Sequence, residues 1–127
     1  MILPCLLVAP TKTMGRGVFT TEALPVNTVI EISPVIVLSA SDRLLVDQTS
    51  LCNYVFEWGE DRKQCCMALG YVPVYNHAYA SNCEYEMDFE AELIRITTVR
   101  DIAAGEELYI NYNGDWDDVT PLWFDAH

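Results

Sequence analysis

The chain has 127 residues, about half of them hydrophobic (51%), and carries 19 acidic against 7 basic side chains, for a formal net charge of −12. A single domain of residues 1–127 with a real core is expected at this length, and disorder is not. The acidity argues against nucleic-acid binding through phosphates and for a basic partner, and no apolar run nears the roughly 20 residues that cross a bilayer.

"MILPCLLVAP" is apolar, lacks a basic leader and meets two prolines, so it reads as an edge strand and not as a signal peptide. "TKTMGRGVFTTEAL" reads as a glycine turn at Gly15–Gly17 followed by a short strand. "TVIEISPVIVLS" is β-branched and interrupted by Pro34, which predicts two short strands meeting at a break. "SDRLLVDQTS" is the best helix pattern, with Ser41 as N-cap and Leu44, Leu45 and Val46 facing the core. "LCNYVFEW" returns to strand chemistry and "GEDRKQ" is a polar turn. In "EYEMDFEAEL" every even position from Glu84 to Glu92 is acidic and every odd one from Tyr85 to Leu93 is apolar, which predicts one ten-residue half-buried strand. "LIRITTVRDI" continues as strand, and "AAGEELYINYN" adds a turn and another strand. "EALPVNTVIEI" and "DIAAGEELYIN" resemble each other: an acidic residue, a short turn, then a strand. The sum is a mostly β domain with one or two short helices and no βαβ alternation.

Five cysteines, two of them adjacent at Cys65 and Cys66, do not form a secreted disulfide pattern. Reduced thiols in the cytoplasm or another reducing intracellular compartment fit better. No C-x-x-C occurs, so no metal site is expected. Of two histidines only His77 is internal, since His127 is the last residue. That shortage argues against metal centres needing several imidazoles, and no G-x-S-x-G elbow or Walker loop is present. What remains is a site of backbone groups, Asn and tyrosine hydroxyls.

Three short motifs carry the chemistry: "GRG" at 15–17, "NH" at 76–77 and "EELYINY" at 106–112. In order and spacing they resemble the SET domain of protein lysine methyltransferases, over about residues 15–114. "YVPVYNHAYASN" matches the family's Asn-His element at Asn76, His77 and Asn82, and "GEELYINY" matches its closing element at Tyr112. The resemblance implies a β-clip-like fold of several short sheets with a C-terminal pseudoknot, where Asn76–His77 and Tyr112 meet. It implies methyl transfer from S-adenosylmethionine to the side-chain amine of a lysine in a protein or peptide. The backbone of Gly15, Arg16, Gly17 and Val18 would hold the methionine end of the cofactor, and Asn76 and the His77 backbone its amino group and adenine. Tyr75 would pack under it. Tyr112 would be catalytic, and Tyr85, three residues past Asn82, would line the lysine channel beside it; Tyr109 is a further channel candidate.

That chemistry requires no metal and no strong base in the site, and it suits a chain with one usable histidine and seven tyrosines. Neutralising a lysine at pH 7 costs roughly 4–5 kcal/mol, and an apolar aromatic channel lowers that cost by desolvating the ammonium. Alignment supplies the rest. The acidic face from Glu84 to Glu92 offers itself to a lysine-rich peptide. Tyr79 stands where zinc-tailed members of the family carry a cysteine, so the cofactor's cover falls to the aromatic flank at 115–127, above all Trp116 and Trp123, unless these residues seal the core or a homodimer interface. Ile110 and Ile32 stand where the family often has aromatic residues. Those two changes are the warrant for a rival reading, an inactive SET-like module that binds a basic peptide or dimerises. A second rival keeps methyl transfer but moves it to a free amino acid or small amine.

Overall fold

A computed structural model of the protein describes residues 1–112. Trp116 and Trp123, the residues expected to cover a cofactor, lie outside the described residues.

The N-terminal strands form a hairpin. β1 (Leu6–Pro10) pairs antiparallel with β2 (Arg16–Thr20) from Leu6 opposite Thr20 to Pro10 opposite Arg16. Thr11 closes the turn: its hydroxyl accepts from the Met14 N–H at 2.8 Å and donates to the Gly15 carbonyl at 2.9 Å. Gly15 has φ +67°, the left-handed region where a side chain is strained. The expected edge strand and glycine turn are therefore both present.

β3 (Val29–Leu38) is one continuous strand, not two. Pro34 does not break it. Instead the strand's register partners change there: residues 29–34 pair with β8 (Leu93–Thr98) and residues 35–38 with β5 (Gln64–Ala68). With β4 (Phe56–Trp58) and β7 (Cys83–Asp88) this makes a five-stranded sheet of order β4-β5-β3-β8-β7. Aromatic contacts join its two edges, Phe56 to Tyr85 at 5.6 Å and Trp58 to Phe89 at 4.8 Å between ring centres. The sheet thus curls until its ends touch.

The ten-residue alternating strand is also corrected. β7 stops at Asp88, a turn follows, and Glu92 takes φ 54° before β8 begins at Leu93. The polar/apolar alternation runs on through the turn, so periodicity alone could not mark the reversal. The two similar segments face each other. Leu24 and Ile102 exchange backbone hydrogen bonds of 2.9 and 2.8 Å, with Asn27 (φ 61°) and Gly105 (φ 87°) turning the chain after each.

The helix α1 spans Ala40–Val46, two turns capped by Ser39 and not by Ser41; the Ser39 side chain accepts from the Asp42 N–H at 3.1 Å. Leu44 and Leu45 are 68% and 66% exposed, against expectation. Arg43 faces the sheet in their place, its guanidinium donating to the Arg62 carbonyl at 2.9 Å. A two-turn helix anchored by one side chain sets its rotation by that anchor and not by its leucines. The core lies elsewhere, in Val18, Ile30, Ile94, Ile96, Leu108 and Ile110, all fully buried on the inner faces of the sheets.

Candidate active site

β9 (Glu107–Ile110) is inserted between β2 and β6 (Asn76–His77) in a four-stranded sheet of order β1-β2-β9-β6. It runs antiparallel to β2 and parallel to β6, with Asn76 opposite Tyr109 and His77 opposite Ile110. A two-residue strand in a parallel ladder is weak by itself. Side chains reinforce it. Asn82 donates to the Glu107 carbonyl at 2.9 Å and accepts from the Tyr109 N–H at 2.7 Å, standing in for a strand neighbour. Asn111 donates to the Tyr79 carbonyl at 3.0 Å. This is the knot-like crossing, and it brings the "NH" and "EELYINY" motifs together.

The third motif joins them. The Asn76 amide donates to the Arg16 carbonyl at 3.1 Å and to the Glu107 carboxylate at 2.8 Å. Gly17 sits under this pair so closely that a Cβ there would collide with the Glu107 carboxylate and lie 2.9 Å from the Asn76 amide nitrogen. Glu107 also accepts from the Tyr109 hydroxyl at 2.9 Å, which ties Tyr109 to its own strand. Glu107 lies inside "GEELYINY", and its role shows only in the fold.

His77 Nδ1 accepts from the Tyr112 N–H at 3.0 Å, so in the neutral ring Nε2 carries the proton. Burial lowers the His77 pKa and favours that neutral form. Nε2 is buried and has no partner among the described residues. A buried donor left unpaired costs about 1–3 kcal/mol, which a ligand acceptor would recover. Tyr79 packs edge-on against the ring at 4.4 Å.

Tyr112 stands at the junction. Its hydroxyl donates to the Tyr75 carbonyl at 2.6 Å, one residue before Asn76. Burial pushes its phenol up to about 12, with Tyr54 and Glu107 adding to the effect. It is therefore a protonated donor at neutral pH and not a base. On its other side Tyr112 lines a cavity of about 850 Å³, together with Tyr54, Phe56, Tyr85, Met87 and Phe89. The Tyr85 hydroxyl reaches the Tyr112 carbonyl at 3.4 Å. Arg43, Asp47, Glu57 and Arg62 add charge to the lining.

Two residues expected to contact a cofactor have their side chains drawn into the core. The Tyr75 ring is fully buried, with its hydroxyl donating to Glu31 at 2.9 Å. Val18 is drawn into the sheet between Val8 and Leu108, its side chain fully buried, so the turn proper ends at Gly17. The acidic positions of β7 alternate away from Tyr85, Met87 and Phe89, so they do not line the cavity. Glu86 is instead exposed and 3.5 Å from Arg95. Ile110 is fully buried beside His77. Tyr54, Phe56, Asp47 and Glu57 were missed as lining residues; their segment carries no motif, and only its aromatic content hinted at a pocket.

The description of the SET domain family matches residues 15–113. The chain belongs to that family, the protein-lysine N-methyltransferases, and it is an enzyme of that class. It is 36% identical over 116 residues to a histone-lysine N-methyltransferase of Schizosaccharomyces pombe specific for lysine 37 of histone H3, covering 91% of this chain and 74% of the relative. Two solved structures share the fold. One, a proposed histone methyltransferase of Plasmodium falciparum, superposes with a TM-score of 0.66 at 22% identity over 91% of this chain and 98% of that one. The other, from a ctPRC2 complex, gives 0.71 at 19% identity over 84% of this chain and 14% of that one.

Proposed function

We propose that the protein transfers a methyl group from S-adenosylmethionine to the side-chain amine of a lysine in a basic, histone-like protein. The observation that carries this reading is the double role of Tyr112. It closes the polar crossing through the Tyr75 carbonyl and walls the aromatic cavity on the other side. A group held at the crossing and a chain entering the cavity would meet at its hydroxyl.

The residues present fit the cofactor. The crossing has a buried donor at His77 Nε2 that finds no partner among the described residues, and a glycine cradle at Gly17 beside the Asn76 amide. The chemistry supplied by bound S-adenosylmethionine is an electrophilic methyl carbon on a sulfonium sulfur, which passes to a neutral amine as the carbon–sulfur bond breaks. The protein's share is to hold and to dry. The Arg16 and Gly17 backbone and Asn76 would hold the methionine end, and His77 the adenine. Tyr54, Phe56 and Tyr85 would strip water from the lysine stem, which favours loss of the ammonium proton to solvent before attack. The Tyr112 hydroxyl, already fixed as a donor, would orient the methyl group. Alignment of this kind supplies several kcal/mol without a base in the site. The relative's histone specificity and the net charge of −12 support a basic substrate. Five free cysteines, three of them buried, suit a reducing compartment such as the cytoplasm.

Incubation with methyl-labelled cofactor and a set of histone and non-histone lysine peptides tests this reading. Labelled methyl-lysine is the expected product. No calorimetric binding at millimolar cofactor, with no label transferred, would sink it.

A further inference from the structure

Glu31 is a fully buried carboxylate on β3. Three donors converge on it: the Tyr75 hydroxyl at 2.9 Å on Oε1, and the Ser33 hydroxyl at 2.6 Å and the Tyr71 N–H at 2.8 Å on Oε2. Gly70 (φ +66°) makes room for it, since a Cβ there would collide with Oε2. None of the ion pairs among the described residues involves Glu31. All three donors are neutral.

The geometry is more specific than a satisfied core group. Tyr71 and Tyr75 flank a single 3-10 turn, Val72–Val74, and are its two caps. One carboxylate therefore pins both ends of the segment that leads into Asn76 and His77. Tyr71 makes no side-chain cap bond of its own. The carbonyl of the pinned Tyr75 is the acceptor that fixes the Tyr112 hydroxyl at 2.6 Å. The chain of contacts runs from Glu31 through Tyr75 to Tyr112. Asn76 has separate anchors at Arg16 and Glu107, so the cofactor side of the crossing does not depend on this chain.

We propose that Glu31 is a positioning residue for methyl transfer, setting the place of the Tyr112 hydroxyl through Tyr75. This rests on the lysine methyltransferase reading above. A shift of about 1 Å at a reacting group can cost on the order of 100-fold in rate, so a small loosening of Tyr75 is enough.

Glu31→Gln keeps the volume but turns an NH₂ donor on one of the three donors. Tyr75→Phe removes only the hydroxyl that Oε1 accepts and is the milder change; it carries the test alone if Glu31→Gln does not fold. We expect each to lower kcat roughly 10–100-fold with the cofactor dissociation constant unchanged by calorimetry. The double variant should be no slower than the slower single one, because both act through one contact. A readout independent of turnover is the ring-carbon NMR signal of Tyr112 in protein labelled with ¹³C-tyrosine, assigned with Tyr112→Phe. It should move in both variants. The proposal is overturned if melting temperature falls while kcat per folded enzyme holds, if the two effects multiply, or if the Tyr112 signal stays in place. Absence of turnover in the wild-type protein would instead count against the proposed function, and the NMR comparison would still decide the fate of the Glu31 contact.

Discussion

The two sides of Tyr112 are built on opposite principles. The crossing of β2, β9 and β6 is polar, close and almost fully satisfied: the Asn76 amide bridges Arg16 and Glu107 over a glycine with no room for a methyl group. The cavity side is roomier, about 850 Å³, with rings that meet at the sheet edges and charged groups farther along its lining. Hydrogen-bonded networks fix one geometry and fail sharply when one member is lost, whereas ring contacts spread their energy over area and give way gradually. Under the proposed function, holding a charged cofactor in one pose and admitting a flexible lysine stem would need both.

Mutation tests this contrast. The largest effect should fall on the residue shared by both sides. Tyr112→Phe keeps the ring and removes the donor, and we expect kcat to drop about 100-fold with cofactor and peptide affinities kept. Steady-state kinetics beside calorimetry decides it, and a full rate would remove Tyr112 from its assigned role. Next comes Gly17→Ala, which places a methyl against the Asn76 amide and the Glu107 carboxylate. Overpacking of about 1–3 kcal/mol should weaken cofactor binding roughly 10–100-fold while peptide binding alone stays intact. Unchanged cofactor affinity would show that the crossing is not the cofactor side.

On the cavity side, Phe56→Ala removes a ring that contacts Tyr85 at 5.6 Å and Tyr112 at 6.5 Å. Peptide KM should rise by up to about tenfold, in keeping with the 0.5–1.5 kcal/mol of an aromatic pair, with cofactor affinity untouched. A response as steep as that of Gly17→Ala would erase the contrast. A smaller effect concerns acid. Because burial lowers the His77 pKa, the unfolded chain binds its proton more readily than the folded one. Its contribution is fully present above the unfolded value near 6.5 and is lost as pH falls from there toward the folded pKa. His77→Gln should therefore flatten the melting-temperature loss just below pH 6.5 relative to the wild type, as scanning calorimetry over a pH series would show. The smallest effect is expected from Glu86→Lys with Asp88→Lys. Glu86 is solvated, pairs only loosely with Arg95 and points away from the cavity. Stability should change by no more than about 1 kcal/mol, and peptide affinity only modestly and in a salt-dependent way.

Local pattern made several elements legible in advance. The glycine turn, the edge strand and the strands at Leu93 and Glu107 needed only residue preferences and period-two alternation. The three motifs at 15–17, 76–77 and 106–112 were visible too, because each is contiguous. Where tertiary contacts chose between local options, the pattern misled. Pro34 looked like a break, yet a strand that exchanges partners there carries on through it. Leu44 and Leu45 looked like a buried stripe, but Arg43 decided which way the helix faced. Phe89–Glu92 kept the strand's alternation while turning the chain.

By itself the sequence determined the family, the β-rich character and the contiguous motifs, since these rest on residue type and on spacing along the chain. The resemblance implied that Asn76–His77 and Tyr112 meet; the hydrogen bonds and registers that join them came from the folded chain. Parallel pairing of β6 with β9 joins residues some thirty positions apart, with no signal in either segment alone. The same is true of Glu31. Its meaning comes from Tyr71 and Tyr75, about 40 residues away, and a lone glutamate in an apolar strand discloses nothing of its partners until the chain brings them in. Long-range hydrogen bonds are set by where the backbone crosses itself, and that crossing is a property of the whole fold.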